Sequence, residues 1–196
     1  MTTQKLTRDD LYSLENYSEI RQQFRSEVMD LKMIRILRLG EHASLHFENR
    51  KIMQYQIQEM LRIERIFEAD AIQEELDTYN PLISDGSNWK VTFMIEYEDE
   101  QERKIALEKL LGVEDRVWVQ ITGHDRVFAI ADEDMEREND TKTSSVHFLR
   151  FELTLEMIAS TRTGSEISAG IDHEHLREQI SPVSEALHLS LLEDLS

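Results

Sequence analysis

The stretch from Asn49 to Asp77, NRKIMQYQIQEMLRIERIFEADAIQEELD, constrains the fold more than any other part of the chain. It holds no Pro and no Gly, and Met53, Ile57, Met60, Leu61, Phe67 and Ala71 recur at helical three-and-four spacing. Ile52, Ile63 and Ile66 widen that stripe. At about 1.5 Å of rise per residue, one helix over this stretch would be on the order of 40 Å long, enough to cross a small domain. Glu64 is out of place on it, because it falls among Met60, Leu61, Phe67 and Ala71. A buried carboxylate must be neutral, paired or metal-bound. Pairing with a strand arginine, Arg35 or Arg150, is the structural reading of Glu64. A general acid or base is the functional one.

Around this helix the pattern changes to strands. Met33–Leu39 and His42–Glu48 flank Gly40-Glu41 as a hairpin, with Ala43, Leu45 and Phe47 on one face. Trp89–Tyr97 alternates Trp89, Val91, Phe93 and Ile95 with polar neighbours, and its apolar face is expected against Met53, Ile57 and Met60. Val117–Thr122 and Arg126–Ala131 flank Gly123-His124-Asp125 as a second hairpin, and Ser145–Leu153 and Ile167–Ile171 read as further strands. Gly170 marks a bulge or a close backbone approach. A helix capped by Ser18 precedes the strands, Asp99 caps another, and Ser181-Pro182 opens a terminal one. The class is α+β: a mainly antiparallel sheet with a long helix packed across one face. One domain over 1–196 is expected, with 1–32 a helical N-terminal segment and 181–196 a C-terminal helix.

Charge and composition narrow the function. There are 22 Lys and Arg against 40 Asp and Glu, so nucleic acid and anionic membrane surfaces are poor partners, whereas a basic protein or a cation fits. The run Asp132–Asp140 concentrates six carboxylates in nine residues. There is no cysteine, which removes disulfides, thiolate catalysis, Cys-ligated zinc and protein-held iron–sulfur clusters. MTTQKLTRDD lacks the apolar core of a signal peptide, and cytoplasmic placement is the expectation. GxGxxG, GxxxxGK and GxSxG are all absent.

Three polar clusters carry chemical possibilities. His42, His46 and Glu48 share a strand face, and imidazole with carboxylate suits iron, manganese or zinc. His42 and His46 are about 13 Å apart on a straight strand, so His46 and Glu48 with Glu59 or Glu64 from the helix make the better ligand set. The plainer reading is the solvent face of a hairpin. Arg50 and Lys51 stand in the first turn of the helix, where its dipole disfavours cations, and together with free backbone donors they describe an anion site. Neutralisation by Glu48 and other surface carboxylates is the alternative. Asp172-His173-Glu174-His175 can hold a cation weakly or position a proton donor, and otherwise forms a solvated loop. His147 shares its face with Leu149, Phe151 and Leu153, which predicts a buried, hydrogen-bonded ring.

Several phrases, in order, resemble the bacterial domain-of-unknown-function 3501 family. They are HFENR at 46–50, QYQIQEMLRIERIFEADAIQEELDTYNPLISDGSNWK at 54–90, DRVWVQITGHDRVFAIADED at 115–134, VHFLRFEL at 146–153 and GIDH at 170–173. The resemblance spans nearly the whole chain and carries over no catalytic residue. What it implies is context, since genes of the family stand beside those for rubrerythrin and an iron–sulfur oxidoreductase. An accessory or interaction protein serving a redox or peroxide-defence system is the reading this favours. A small metal-dependent enzyme using His46, Glu48 and helix carboxylates is the alternative.

Overall fold

The structure is a computed structural model that describes residues 5–131 and 142–196. Alternating apolar residues build two antiparallel sheets. The first holds β1 (Ile36–Leu39), β2 (Ala43–Phe47), β3 (Asn88–Ile95), β6 (Ile130–Ala131) and β7 (Val146–Glu152), in the order β1-β2-β3-β7-β6. The second holds β4 (Val117–Ile121), β5 (Val127–Phe128), β8 (Ile167–His173) and β9 (Leu176–Ile180), in the order β5-β4-β8-β9. After β5 the chain changes sheets at Ala129, whose N–H still bonds Val117 O at 2.8 Å, and continues as β6 beside β7.

The apolar faces of the two sheets meet. Leu45, Trp89, Val91, Phe93 and Phe151 of the first share one buried cluster with Val119, Ile121, Ile167 and Ala169 of the second. This corrects one expectation. Phe93 and its neighbours are fully buried, but against the other sheet and not against Met53 and Ile57.

Those two residues belong to a second cluster, made by helices packing on one another. α1 (Leu14–Arg35) brings Tyr17, Phe24 and Val28; α2 (Arg50–Glu64) brings Ile52, Met53, Ile57 and Leu61; α3 (Ala69–Tyr79) brings Leu76. The 22-residue α1 is the long helix of the fold and touches β2. It starts at an Ser13 cap and runs through Met33 and Ile34, which were expected in a strand; both are exposed on the helix.

The single helix expected over 49–77 is two. Arg65 takes a left-handed conformation, φ 57° and ψ 46°, and caps α2 with its N–H on Leu61 O. The turn redirects the chain so that Leu76 reaches the helical core, while Ile63 and Phe67 stay exposed at the corner. No Gly or Pro marks this break, and a non-glycine residue in that conformation costs roughly 1–2 kcal/mol.

The remaining helices close the ends of the sandwich: α4 (Glu100–Lys109), α5 (Leu155–Arg162) and α6 (Glu185–Leu192) contribute Leu107, Ile158, Leu187 and Leu191 to the sheet core. α6 begins at a Ser184 cap, three residues later than Ser181-Pro182 implied. β9 was not expected at all, because Leu176-Arg-Glu-Gln-Ile180 is an exposed edge strand with little apolar alternation. No described helix is long and apolar enough to cross a membrane.

Arg35 joins the layers. Itself 1% exposed in the last turn of α1, it donates to Phe47 O (2.8 Å), Glu48 O (3.0 Å), Ser190 O and Oγ (2.9 Å each), and the Asp194 carboxylate. Asp194, not Glu64, is thus its ion-pair partner. Trp89 Nε1 donates to Leu191 O and Ser196 N to Gly86 O, so the C-terminal segment is held along its length.

Candidate functional site

The four residues considered as metal ligands lie in separate surroundings. Glu59 faces α1, where Arg21 donates twice at 2.8 Å and the Tyr17 hydroxyl once at 2.8 Å. The Arg21 guanidinium holds its carboxyl down to about 2. Glu64 is exposed at the end of α2 and lacks the apolar surroundings that made it a candidate acid or base. Glu48 is half-buried and accepts from Thr92 Oγ1 at 2.7 Å; burial raises its carboxyl. Among the described residues, no three His, Asp or Glu side chains are grouped so as to hold a metal ion.

His46 sits in a hydrogen-bond chain on the outer face of the first sheet. Ser44 Oγ is 2.9 Å from His46 Nε2 and donates to Glu96 Oε2 at 3.0 Å. With the hydroxyl proton committed to Glu96, His46 Nε2 must be the donor to Ser44. That is the reverse of a nucleophilic triad, in which the imidazole takes the serine proton. Burial lowers the His46 pKa below its ordinary value, so the ring is neutral near pH 7.

The two cations at the start of α2 are used within the protein. Arg50 pairs with Asp10, and Lys51 Nζ donates to Glu27 Oε2 at 2.7 Å. The backbone donor of the first turn is met by the Asn49 cap, whose side chain accepts from Ile52 N. Neutralisation by carboxylates, the alternative to an anion site, is what the contacts display. The partners are Asp10 and Glu27, with Glu48 turned to Thr92.

Both remaining histidine clusters are structural in their contacts. His147 is 3% exposed, stacks on Phe93 and bonds Thr143 Oγ1 and Ser144 O, as burial on its strand face predicts. His173 is buried, places Nε2 on Leu111 O at 3.1 Å, and accepts from His175 N. The 132–140 acidic run lies outside the described residues.

Sequence reasoning did not find a cleft of about 680 Å³ beside the β1–β2 turn. His42 and Tyr97 stack there, with centroids 3.9 Å apart and planes at 14°. His42 Nδ1 lies 3.0 Å from Glu96 O; a carbonyl only accepts, so Nδ1 carries the proton and Nε2 keeps its lone pair. Burial, then Glu102, raises the Tyr97 phenol. Four carboxylates line the cleft (Glu41, Glu96, Glu98, Glu102) against two guanidiniums, Arg38 and Arg103. An adjoining hollow of about 300 Å³ shares Tyr97 and Glu102 and is floored by Ile105, Ala106, Leu110 and Leu176. α4 supplies Glu102, Arg103 and Ile105 because Asp99 caps it, accepting from Gln101 N and Glu102 N. The only signal available in the sequence was His42 on the polar face of β2 opposite a strand ending in Tyr97; their stacking depends on strand register.

Comparison with known proteins agrees with the residue phrases quoted above. A family model described as a protein of unknown function, DUF3501, matches residues 5–195. A crystal structure of a protein of unknown function from Burkholderia pseudomallei is 47% identical, with a TM-score of 0.92 over 98% of this chain and 100% of that one. No curated protein matches the chain. With the family model covering nearly every residue, the chain belongs to the DUF3501 family.

Proposed function

We propose that the protein is a non-catalytic accessory protein whose paired hollows receive a basic, amphipathic segment of a partner. Rubrerythrin or the iron–sulfur oxidoreductase implied by the family's gene context is that partner, and a redox or peroxide-defence system is the setting. The observation that carries this is the composition of the groove around Tyr97. One side is acidic, and the other is apolar with Ile105 52% exposed. A cationic segment with one apolar anchor complements both halves. The charge balance of the whole chain, 22 cations against 40 carboxylates, steers the same encounter. Glu59, Arg50 and Lys51, considered above as a metal ligand and an anion site, have partners within the protein, and Glu64, the acid or base candidate, stands in solvent.

The test is binding of each purified partner at about 50 and about 500 mM salt, a range over which screening shortens from roughly 14 to 4 Å. Binding should weaken at high salt and in the Glu98→Gln/Glu102→Gln variant, and Ile105→Ala should weaken it at both salts. Binding indifferent to salt and to these changes, or turnover by the isolated chain, would overturn the proposal.

A further inference from the structure

The outer face of the second sheet carries a different site. Trp118 on β4 stands opposite Gly170 on β8. A Cβ at Gly170 would lie 2.6 Å from Trp118 Cζ2, so only glycine lets the indole lie flat on the sheet. The Arg126 guanidinium covers the ring at 4.0 Å from its centre. Trp118 is thereby 3% exposed, and its Nε1, a donor with no other role, meets no acceptor among the described residues.

Two guanidiniums border the same hollow of about 360 Å³. Arg126 Nη1 lies 3.4 Å from Asp172 Oδ2, and Arg177 Nε lies 3.5 Å from Asp172 Oδ1. Both distances are at the outer limit of hydrogen bonding, so one carboxylate is shared between two cations. The other acid of the lining, Glu178, turns its carboxylate to the β1–β2 turn, where Oε1 would be 2.7 Å from a Cβ at Gly40. Among the described residues, Arg126 and Arg177 therefore outnumber the carboxylates that face the hollow, in a protein of formal charge −18.

We propose that this hollow binds a small oxyanion, a phosphate or carboxylate group, between Arg126 and Arg177. The planar forks match such an anion in two-point contacts, and the Gln179 side chain supplies a further donor. The site is independent of the groove around Tyr97.

Trp118 makes the site self-reporting, since the other tryptophan, Trp89, is fully buried in the core. The experiment titrates the full chain with inorganic phosphate and, separately, with citrate. Intrinsic fluorescence and equilibrium dialysis are both read, with circular dichroism to verify folding of each variant. A saturable signal with Kd below about 1 mM is expected for at least one of the two anions. Preference for phosphate identifies a phosphorylated ligand, and preference for citrate a carboxylate. Arg126→Gln and Arg177→Gln should each weaken binding about tenfold or more, and Asp172→Asn should tighten it by removing a competing carboxylate. Absence of saturation with both anions to about 10 mM, or folded arginine variants that bind like the parent, would overturn the proposal.

Discussion

Replacing Arg35 by Met tests the join between the helical layer and the sandwich. Arg35 is 1% exposed and Asp194 7%, so the substitution leaves a buried carboxylate without its cation. It also removes the donors to Phe47 O, Glu48 O and Ser190 O. Breaking a buried pair from one side costs roughly 3–5 kcal/mol. The cost must depend on pH. Burial raises the Asp194 carboxyl to about 6 even with Arg35 present, which pulls the other way; without Arg35 it rises further. A carboxyl raised on folding contributes stability that is complete below its unfolded value of 3.8 and lost as pH rises through about 6. The variant extends that loss to higher pH, so its deficit should be larger near pH 8 than near pH 5, where Asp194 is protonated. Urea unfolding at both pH values measures the two deficits, with constant m-values as the check on two-state behaviour. Adding Asp194→Leu should recover at least about 1 kcal/mol by removing the stranded charge. A deficit under about 1 kcal/mol, or one equal at the two pH values, would refute the reasoning.

Glu59→Gln should cost on the order of 3 kcal/mol at neutral pH, from a carboxyl lowered from 4.5 to about 2 at roughly 1.4 kcal/mol per decade. The sign is opposite to Asp194: this stability is present above 4.5 and lost as pH falls through about 2, so acid titration of parent and variant should converge there. Phe93→Ala, at a position with no exposed surface, should cost roughly 3–5 kcal/mol in denaturant melts, and a loss under about 1 kcal/mol would place that strand at the surface.

Strand positions were legible because a half-buried strand needs alternation, and β3 and β7 have it. The Asp99 cap was legible for the same local reason, since it acts within three residues of itself, whereas Ser18, read as a cap, lies inside α1. The face each element packs against is a long-range choice, and here the expectation failed. An apolar strand face and an apolar helix stripe each need a cover, but the pattern does not say which covers which. Phe93 took the second sheet, and Met53 took α1. The break at Arg65 was hidden because the left-handed turn is made by a residue that does not advertise it.

The contacts of the polar candidates bear on how acidic chains are read. With nearly two carboxylates for each cation, a lysine or arginine anywhere on the surface has an acid within reach. Arg50 and Lys51 therefore looked like an anion site only while Asp10 and Glu27, 40 and 24 residues away, were not yet placed beside them. The converse gives weight to the exceptions. Where two guanidiniums share one carboxylate at 3.4 and 3.5 Å, the described acids have not been used in surplus to neutralise them. Such a pair of cations, one of them held over a flat tryptophan on a glycine, is what an acidic protein needs in order to bind an anion against its own field.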